Sequence, residues 1–401
     1  MEARRDEERV RRIQSALNGA GLHAVVCALP ENVLLLSGYW PVVGDALALA
    51  TREGRIAVIA PEDERDLAEA GWADDIRTFR PASLDAIRRI DDVVSEPLGT
   101  LVRKLGLRYG PIGYEGGPAS EPASYVGMLL YGPVLEAFLT RVLSPCRLET
   151  AEGILKQLRA AKTSRDVARI RTACRIAARA FRAGAQQIHA GMLETEAAVQ
   201  FRAPLSTAGT GFEGVERADG FAWCMSGPNA ALAQRAYARS RARPLGRDDM
   251  VLVHCNSHAD GYWVDVTRTY SLGEPDDRRR AMYGAVFAAR AAALAAIRPG
   301  AKAADVDRAA RAVLEARGFG PQFKHSAGHG VGFVAIDPNA PPRLHPKSVD
   351  VLELGMVFNV EPAIYLDGDC GLRHCDVIAV TEDGAEVLTP FQDTVDSLIL
   401  H

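Results

Sequence analysis

Apolar positions change period several times along the chain, and each change marks an element. Val10, Ile13 and Leu17 recur at helical spacing, which predicts an amphipathic helix over residues 6–20. Apolar runs bounded by Pro and Gly follow at 23–29, 45–51 and 55–60, with the length and composition of strands. Helical patterns at 62–70 and 84–105 and a strand pattern near 111–115 carry the alternation to about residue 145. Alternating helices and strands predict a small α/β domain with its own sheet, placed at residues 1–150.

Residues 151–190 carry a nearly uninterrupted helical pattern, with Ser164 a candidate N-cap for its second part. The grammar then changes. A helix at 193–203 precedes strands near 221–226, 250–256 and 261–271, and Ala-rich helices follow at 276–297 and 303–317. Strands near 330–335, 356–365 and 372–380 close the chain. Antiparallel strands separated by helix pairs predict an α+β domain over 151–401, with helices covering one face of a curved sheet. The order of helix pair then hairpin occurs twice, a hint of internal duplication.

Composition narrows the picture. A chain of 401 residues exceeds what one core usually organises, in keeping with two domains. Hydrophobic residues at 48% and charged residues at 24% describe an ordinary globular protein. Net charge is −4, and the Arg-rich stretch from Arg4 to Arg12 is interleaved with Glu, so no phosphate-tracking patch forms and no nucleic-acid partner is expected. No apolar segment is long enough to span a bilayer, and the charged start does not resemble a signal peptide. Seven cysteines without a tight spacing framework are expected as reduced thiols in the cytoplasm.

The informative residues are polar ones inside apolar strands. His254 follows Met250-Val251-Leu252-Val253, Asp265 sits within Trp263-Val264-Asp265-Val266, and Glu361 follows Val357-Phe358-Asn359-Val360. His329 lies in Gly328-His329-Gly330-Val331-Gly332, and Cys375 precedes Asp376-Val377-Ile378. A charged group in a buried strand costs several kcal/mol unless it is paired or bound to a metal. Asp265 and Glu361 therefore need partners. Two histidines, the cysteine, Arg268 and Arg373 are available, so a shared site and separate salt bridges both remain open.

Four of these stretches, in this order, are similar to the motifs of the pita-bread metallopeptidase superfamily, which includes the creatinases, prolidases and Xaa-Pro aminopeptidases (family M24). They are the hairpin Gly261-Tyr262-x-x-Asp265-x-Thr267-Arg268-Thr269, the turn Gly328-His329-Gly330-x-Gly332, the strand Gly355-Met356-x-Phe358-x-x-Glu361-Pro362, and Gly371-x-Arg373-x-x-Asp376. The opening also resembles that family's N-terminal domain, through Pro30-Glu31-Asn32-Val33 and Ser37-Gly38-Tyr39. The resemblance implies a pita-bread C-terminal domain behind a smaller α/β domain. It also implies a homodimer and hydrolysis of a C–N bond in a dipeptide or small amide or guanidino compound.

It further implies a metal site, with departures. Where the family has Asp, Asp, His, Glu, Glu around two ions, this chain has His254, Asp265, His329, Glu361 and Cys375. The expected site is one divalent transition metal on Asp265, His329 and Glu361, with Cys375 or His254 as a further ligand. A thiolate favours zinc or iron(II), with manganese or cobalt as the other candidates. The alternative is that His254 and Cys375 bond each other and no metal binds. Glu361, His325 and His254 are the expected catalytic groups, and Trp40, Arg373 and Gln234 the expected substrate contacts. Gln234 and Ile336 stand where the family has histidines. A metal-free hydrolase or lyase, or a non-catalytic binding protein on the same fold, is the competing expectation.

Overall fold

The computed structural model describes residues 5–42, 45–81, 88–107, 109–117, 132–235, 238–337 and 340–401. They divide into two compact units, one running to Arg159 and the other from Ala160 to His401.

The first unit begins with α1 (Glu7–Gly19), capped by the Asp6 carboxylate accepting from Arg9 N at 2.9 Å. Then come β1 (Ala24–Cys27), α2 (Pro30–Ser37), β2 (Leu47–Thr51), β3 (Ile56–Pro61), α3 (Arg65–Glu69) and β4 (Asp75–Phe79). The unit closes with α4 (Ile90–Lys104), β5 (Pro111–Tyr114), α5 (Gly132–Leu143), β6 (Arg147–Thr150) and α6 (Glu152–Ala160), whose last turn meets the unit boundary. Its strands form one mixed sheet in the order β4-β3-β2-β1-β5-β6. Part of the expected helix at 84–105 lies outside the described residues, and the rest is α4. Gly38 ends α2 in the left-handed conformation (φ 73°), and a Cβ there would strike the Trp72 ring.

The second unit opens with α7 (Ser164–Ala185) and α8 (Glu194–Thr207). Thr163, not Ser164, caps α7: its hydroxyl accepts from Asp166 N at 3.3 Å while Asp166 Oδ2 accepts from Thr163 N at 2.9 Å, a reciprocal capping box. The strands β7 (Ala218–Ser226), β8 (Met250–Ala259) and β9 (Tyr262–Leu272) follow, joined by β15 (Ile399–Leu400) in a sheet ordered β15-β9-β8-β7. Helices α9 (Asp277–Ala296) and α10 (Ala303–Ala316) lead to β10 (Val357–Val360), β11 (Ala363–Leu366), β12 (Cys370–Arg373), β13 (Asp376–Thr381) and β14 (Gly384–Val387).

Two expectations change. The strand near 330–335 does not form: the segment is an irregular turn, with Gly330 bridging Asp337 and Phe358 and Gly332 at φ 126°. The pattern Val331-x-Phe333 resembles a strand, but the glycines release the backbone from the sheet geometry. The expected strand at 356–365 is two strands, because Pro362 has no N–H for a ladder. The Glu361 carboxylate sits at that break.

Helices α7 and α8 cover one face of β7–β9. Tyr262 donates its hydroxyl to Asp166 at 3.0 Å, and Phe201 stacks on Tyr270 with ring centres 5.8 Å apart. Side chains alternate along a strand, so Asp265 and Thr267 stand on the opposite face. His254 pairs directly with Thr267 across the ladder and shares that face. Every residue of β9 is buried. A buried sheet face with polar residues on it must satisfy them internally.

Candidate metal and catalytic site

Three backbone hydrogen bonds bring the candidate residues together. Cys375 N donates to Thr267 O at 3.0 Å, tying the β12–β13 junction to β9. Glu361 N donates to Ala327 O at 2.9 Å, and Asn359 N donates to His329 O at 3.0 Å, tying β10 to the glycine turn. Gly328 is required there, since a Cβ would collide with the carbonyl of Asn359. His254, Asp265, His329, Glu361 and Cys375 thereby arrive from β8, β9, the turn, the end of β10 and the β12–β13 junction.

The pairwise distances define the cluster. His329 Nε2 lies 3.4 Å from Asp265 Oδ2 and 3.9 Å from Glu361 Oε1. The other ring nitrogen, Nδ1–H, donates to Gly330 O at 3.1 Å and so aims Nε2 at the carboxylates. His254 Nδ1 lies 3.3 Å from Asp265 Oδ1 and 3.1 Å from Thr267 Oγ1. Arg373 is buried; its Nε donates to Thr267 Oγ1 at 3.0 Å and its guanidinium is 3.7 Å from Glu361 Oε2. Cys375 Sγ lies 3.4 Å from the Asp265 carbonyl oxygen and 4.0 Å from Asp265 Oδ1.

Burial and charge set the protonation of this cluster. Burial pushes His254 down to about 4, with Asp265 opposing and Arg373 and His329 assisting. Burial also presses His329 down, but the Asp265 hydrogen bond and the Glu361 charge outweigh it and raise the ring to about 9. Asp265 is raised by burial and lowered further by His254, His329 and Arg373, so its net shift is downward. The Cys375 thiol is driven well up by burial and by the Asp265 and Glu361 charges.

Of the other expected contacts, His325 is engaged beside the site. Its Nδ1–H donates to Ser326 O at 2.7 Å, leaving Nε2 to accept from the Tyr365 hydroxyl at 3.0 Å. Gln234 is used locally: with its amide nitrogen turned toward them it donates to the carbonyls of Ala231 at 2.8 Å and Leu232 at 3.2 Å. Trp40 belongs to the first unit, where it is half-buried next to Tyr39. His374 is buried against Phe287 and Asp376.

Several residues of the site escape sequence reading. Asn359 places its amide nitrogen 3.1 Å from His329 Nε2, 3.4 Å from Asp265 Oδ2 and 3.5 Å from Cys375 Sγ. Its position two residues before Glu361 on one strand was the available signal, because that spacing shares a face. Trp223 stacks on His254 with ring centres 5.4 Å apart and planes at 20°, and Phe221 stacks on Trp223 at 5.9 Å and 19°. Thr267 and Tyr365 join through the bonds given above.

Do these donors fit a metal? Two ligands each about 2.0–2.2 Å from one ion stand about 3.0–3.5 Å apart. Asp265 and His329 meet that spacing, and Glu361 needs to close by a few tenths of an ångström. Among the described residues no group of three His, Cys, Asp or Glu is drawn up tightly enough to hold an ion as it stands. The donor chemistry of Asp265, His329 and Glu361 still fits one divalent ion. For a second ion the cluster is short of carboxylates: it offers Asp265 and Glu361, with His254 and Cys375 beside them.

The sequence profile of metallopeptidase family M24 matches residues 168–382. The chain is 27% identical over 383 residues to an Xaa-Pro dipeptidase of Pyrococcus furiosus, covering 96% of this chain and 98% of that protein. It is 41% identical over 161 residues to a probable dipeptidase PepE of Mycobacterium tuberculosis, covering 40% and 41% of the two chains. The solved prolidase of Pyrococcus furiosus superposes with a TM-score of 0.72 at 26% identity, covering 94% of this chain and 98% of that one. A match over more than half of the chain, together with full-length similarity in sequence and fold, makes this chain a hydrolase of metallopeptidase family M24, built on the pita-bread fold.

Proposed function

We propose that the chain hydrolyses a C–N bond in a dipeptide or small amide or guanidino compound, using one divalent ion where the family's motif implies two. The observation that carries this reading is the convergence of Asp265, His329 and Glu361, with His329 Nε2 at 3.4 and 3.9 Å from the two carboxylates. An ion held by these three, zinc or iron(II) if Cys375 joins them, would polarise a substrate carbonyl and acidify a water molecule.

The chain's own groups do the remaining work. Glu361 receives the proton of the attacking water at a carboxylate oxygen. Arg373 holds that carboxylate in place and balances its charge. His254, neutral, keeps Nδ1 on Thr267 and Asp265, and its other ring nitrogen serves as a second proton carrier. The Trp223 ring lies flat against His254 and excludes water from that side. Tyr365 and His325 form a neutral pair whose shared proton is available to a leaving nitrogen. Each proton carrier of this kind is worth about 10²–10⁴ in rate. Trp40 and Arg373 remain the proposed substrate contacts, and a cytoplasmic homodimer the proposed working form.

The test is a panel of Xaa-Pro dipeptides, other dipeptides, small amides and guanidino compounds, assayed for amine release by protein loaded with zinc or iron(II). Turnover of at least one class, lost in Glu361→Gln, is the expected result. Turnover that is equal after complete chelation would replace this reading with a metal-free hydrolase. No turnover of any class would leave a binding protein.

A further inference from the structure

We propose that Asn359 is a built-in competitor for the ion: its amide nitrogen stands at the point where Asp265, His329 and Cys375 converge, and it must yield before an ion can be held. The inference rests on the single-ion reading above and concerns what sets the occupancy of that site.

The orientation of the amide is fixed by the backbone. Oδ1 accepts from His329 N at 2.7 Å, so the NH₂ group must face the other way. There it finds Asp265 Oδ2 at 3.4 Å, His329 Nε2 at 3.1 Å and Cys375 Sγ at 3.5 Å. An amide nitrogen is a donor with no lone pair free for a metal. It therefore cannot share the space as a ligand. With a neutral His329 ring, Nε2 accepts the amide proton directly. With the proton on Nε2, both ring and amide direct their donors at Asp265. In either state the Asn359 nitrogen occupies acceptor capacity that an ion would claim.

Asn359 is fully buried, and β10 gives it little room to swing. Expelling its donor leaves an NH₂ group without an acceptor, and an unmade buried hydrogen bond costs about as much as a tenfold change in an equilibrium constant. The same amide keeps the acidic and thiol groups together while no ion is bound. The amide and an ion thus compete for the same acceptors.

Zinc dissociation constants of the full-length wild type, Asn359→Ala and Asn359→Asp, measured by competition with a chromogenic chelator, test this directly. Asn359→Asp keeps an oxygen for His329 N and replaces the donor with a ligand, so it guards against misplacement of His329 in the alanine variant. Both variants are expected to bind zinc at least about tenfold more tightly than wild type, with Asn359→Asp the tighter. Equal affinity in all three would overturn the role of Asn359 and leave the single-ion reading standing. Tight binding only in the variants would support the role of Asn359 and make the wild type ion-free. No stoichiometric binding by any of the three would overturn both.

Discussion

Arg373 has the most to hold among the residues of the site. It is buried beside Glu361, bonds Thr267, and through Thr267 reaches His254. Tyr365, Glu361, Asp265 and Cys375 all feel its charge; burial opposes that charge, and the four together more than restore it. Removing one partner of a buried ion pair costs about 3–5 kcal/mol, because the other charge is left without compensation. Arg373→Met is therefore expected to lose about 3 kcal/mol in urea unfolding and to abolish turnover. Arg373→Lys restores the charge but not the fork that serves two acceptors, so it should recover stability more than activity. Equal activity in wild type and Arg373→Met would remove Arg373 from the machinery. The residues found by reading the sequence were charged or sulfur-bearing ones in apolar strands, since burial makes their cost conspicuous. Asn359 and Trp223 carry no charge, so burial gives them no conspicuous cost, and the spacing of Asn359 from Glu361 was the one hint of its face.

At the scale of elements, α2 begins on a carboxylate that belongs to another segment. Glu115, just beyond β5, accepts from the backbone N–H groups of Ala28 and Leu29, each at 2.6 Å, and from Asn32 Nδ2 at 2.7 Å. Burial pushes Glu115 up to about 7 against the pull of those three donors, with Glu31 adding to the rise. Its folded value lies above the ordinary carboxylate value, so the folded state binds the extra proton. Stability then falls as pH rises from about 4.5 through about 7 and is flat above, by at most about 3 kcal/mol. Glu115→Gln cannot titrate. The stability of wild type relative to this variant should drop by roughly 2–3 kcal/mol between pH 5 and pH 8 in urea titrations. A difference that does not change with pH would contradict the assignment.

Helix α2 itself shows where sequence reading stops. Val33, Leu34, Leu35 and Leu36 are all buried, so no polar face alternates with them and no helical period appears. In contrast α1 keeps Val10, Ile13 and Leu17 on one buried stripe and was legible at once. Strands β8 and β9 were legible from their apolar runs, and they extend through Ala259 and Leu272 because both faces are covered. The glycine turn misled in the other direction: its apolar residues are buried, but Gly328 packs on the Asn359 carbonyl and Gly330 bridges Asp337 and Phe358 instead of joining a ladder. The capping choice between Thr163 and Ser164 is one residue, and only the reciprocal bond to Asp166 decides it.

For the whole molecule, the helix and strand pattern anticipated an α/β unit followed by an α+β unit, and the resemblance of four ordered motifs to a known family anticipated the pita-bread fold. The identities of the side chains at that point are what distinguish this chain. Among the described residues no helix is long and apolar enough to cross a membrane. The central claim is a site for one ion on Asp265, His329 and Glu361. Anomalous diffraction at the zinc edge, from crystals equilibrated with excess zinc, tests it most directly. One peak within bonding distance of those three residues is the predicted result. Two peaks, or none in the cluster, would contradict it.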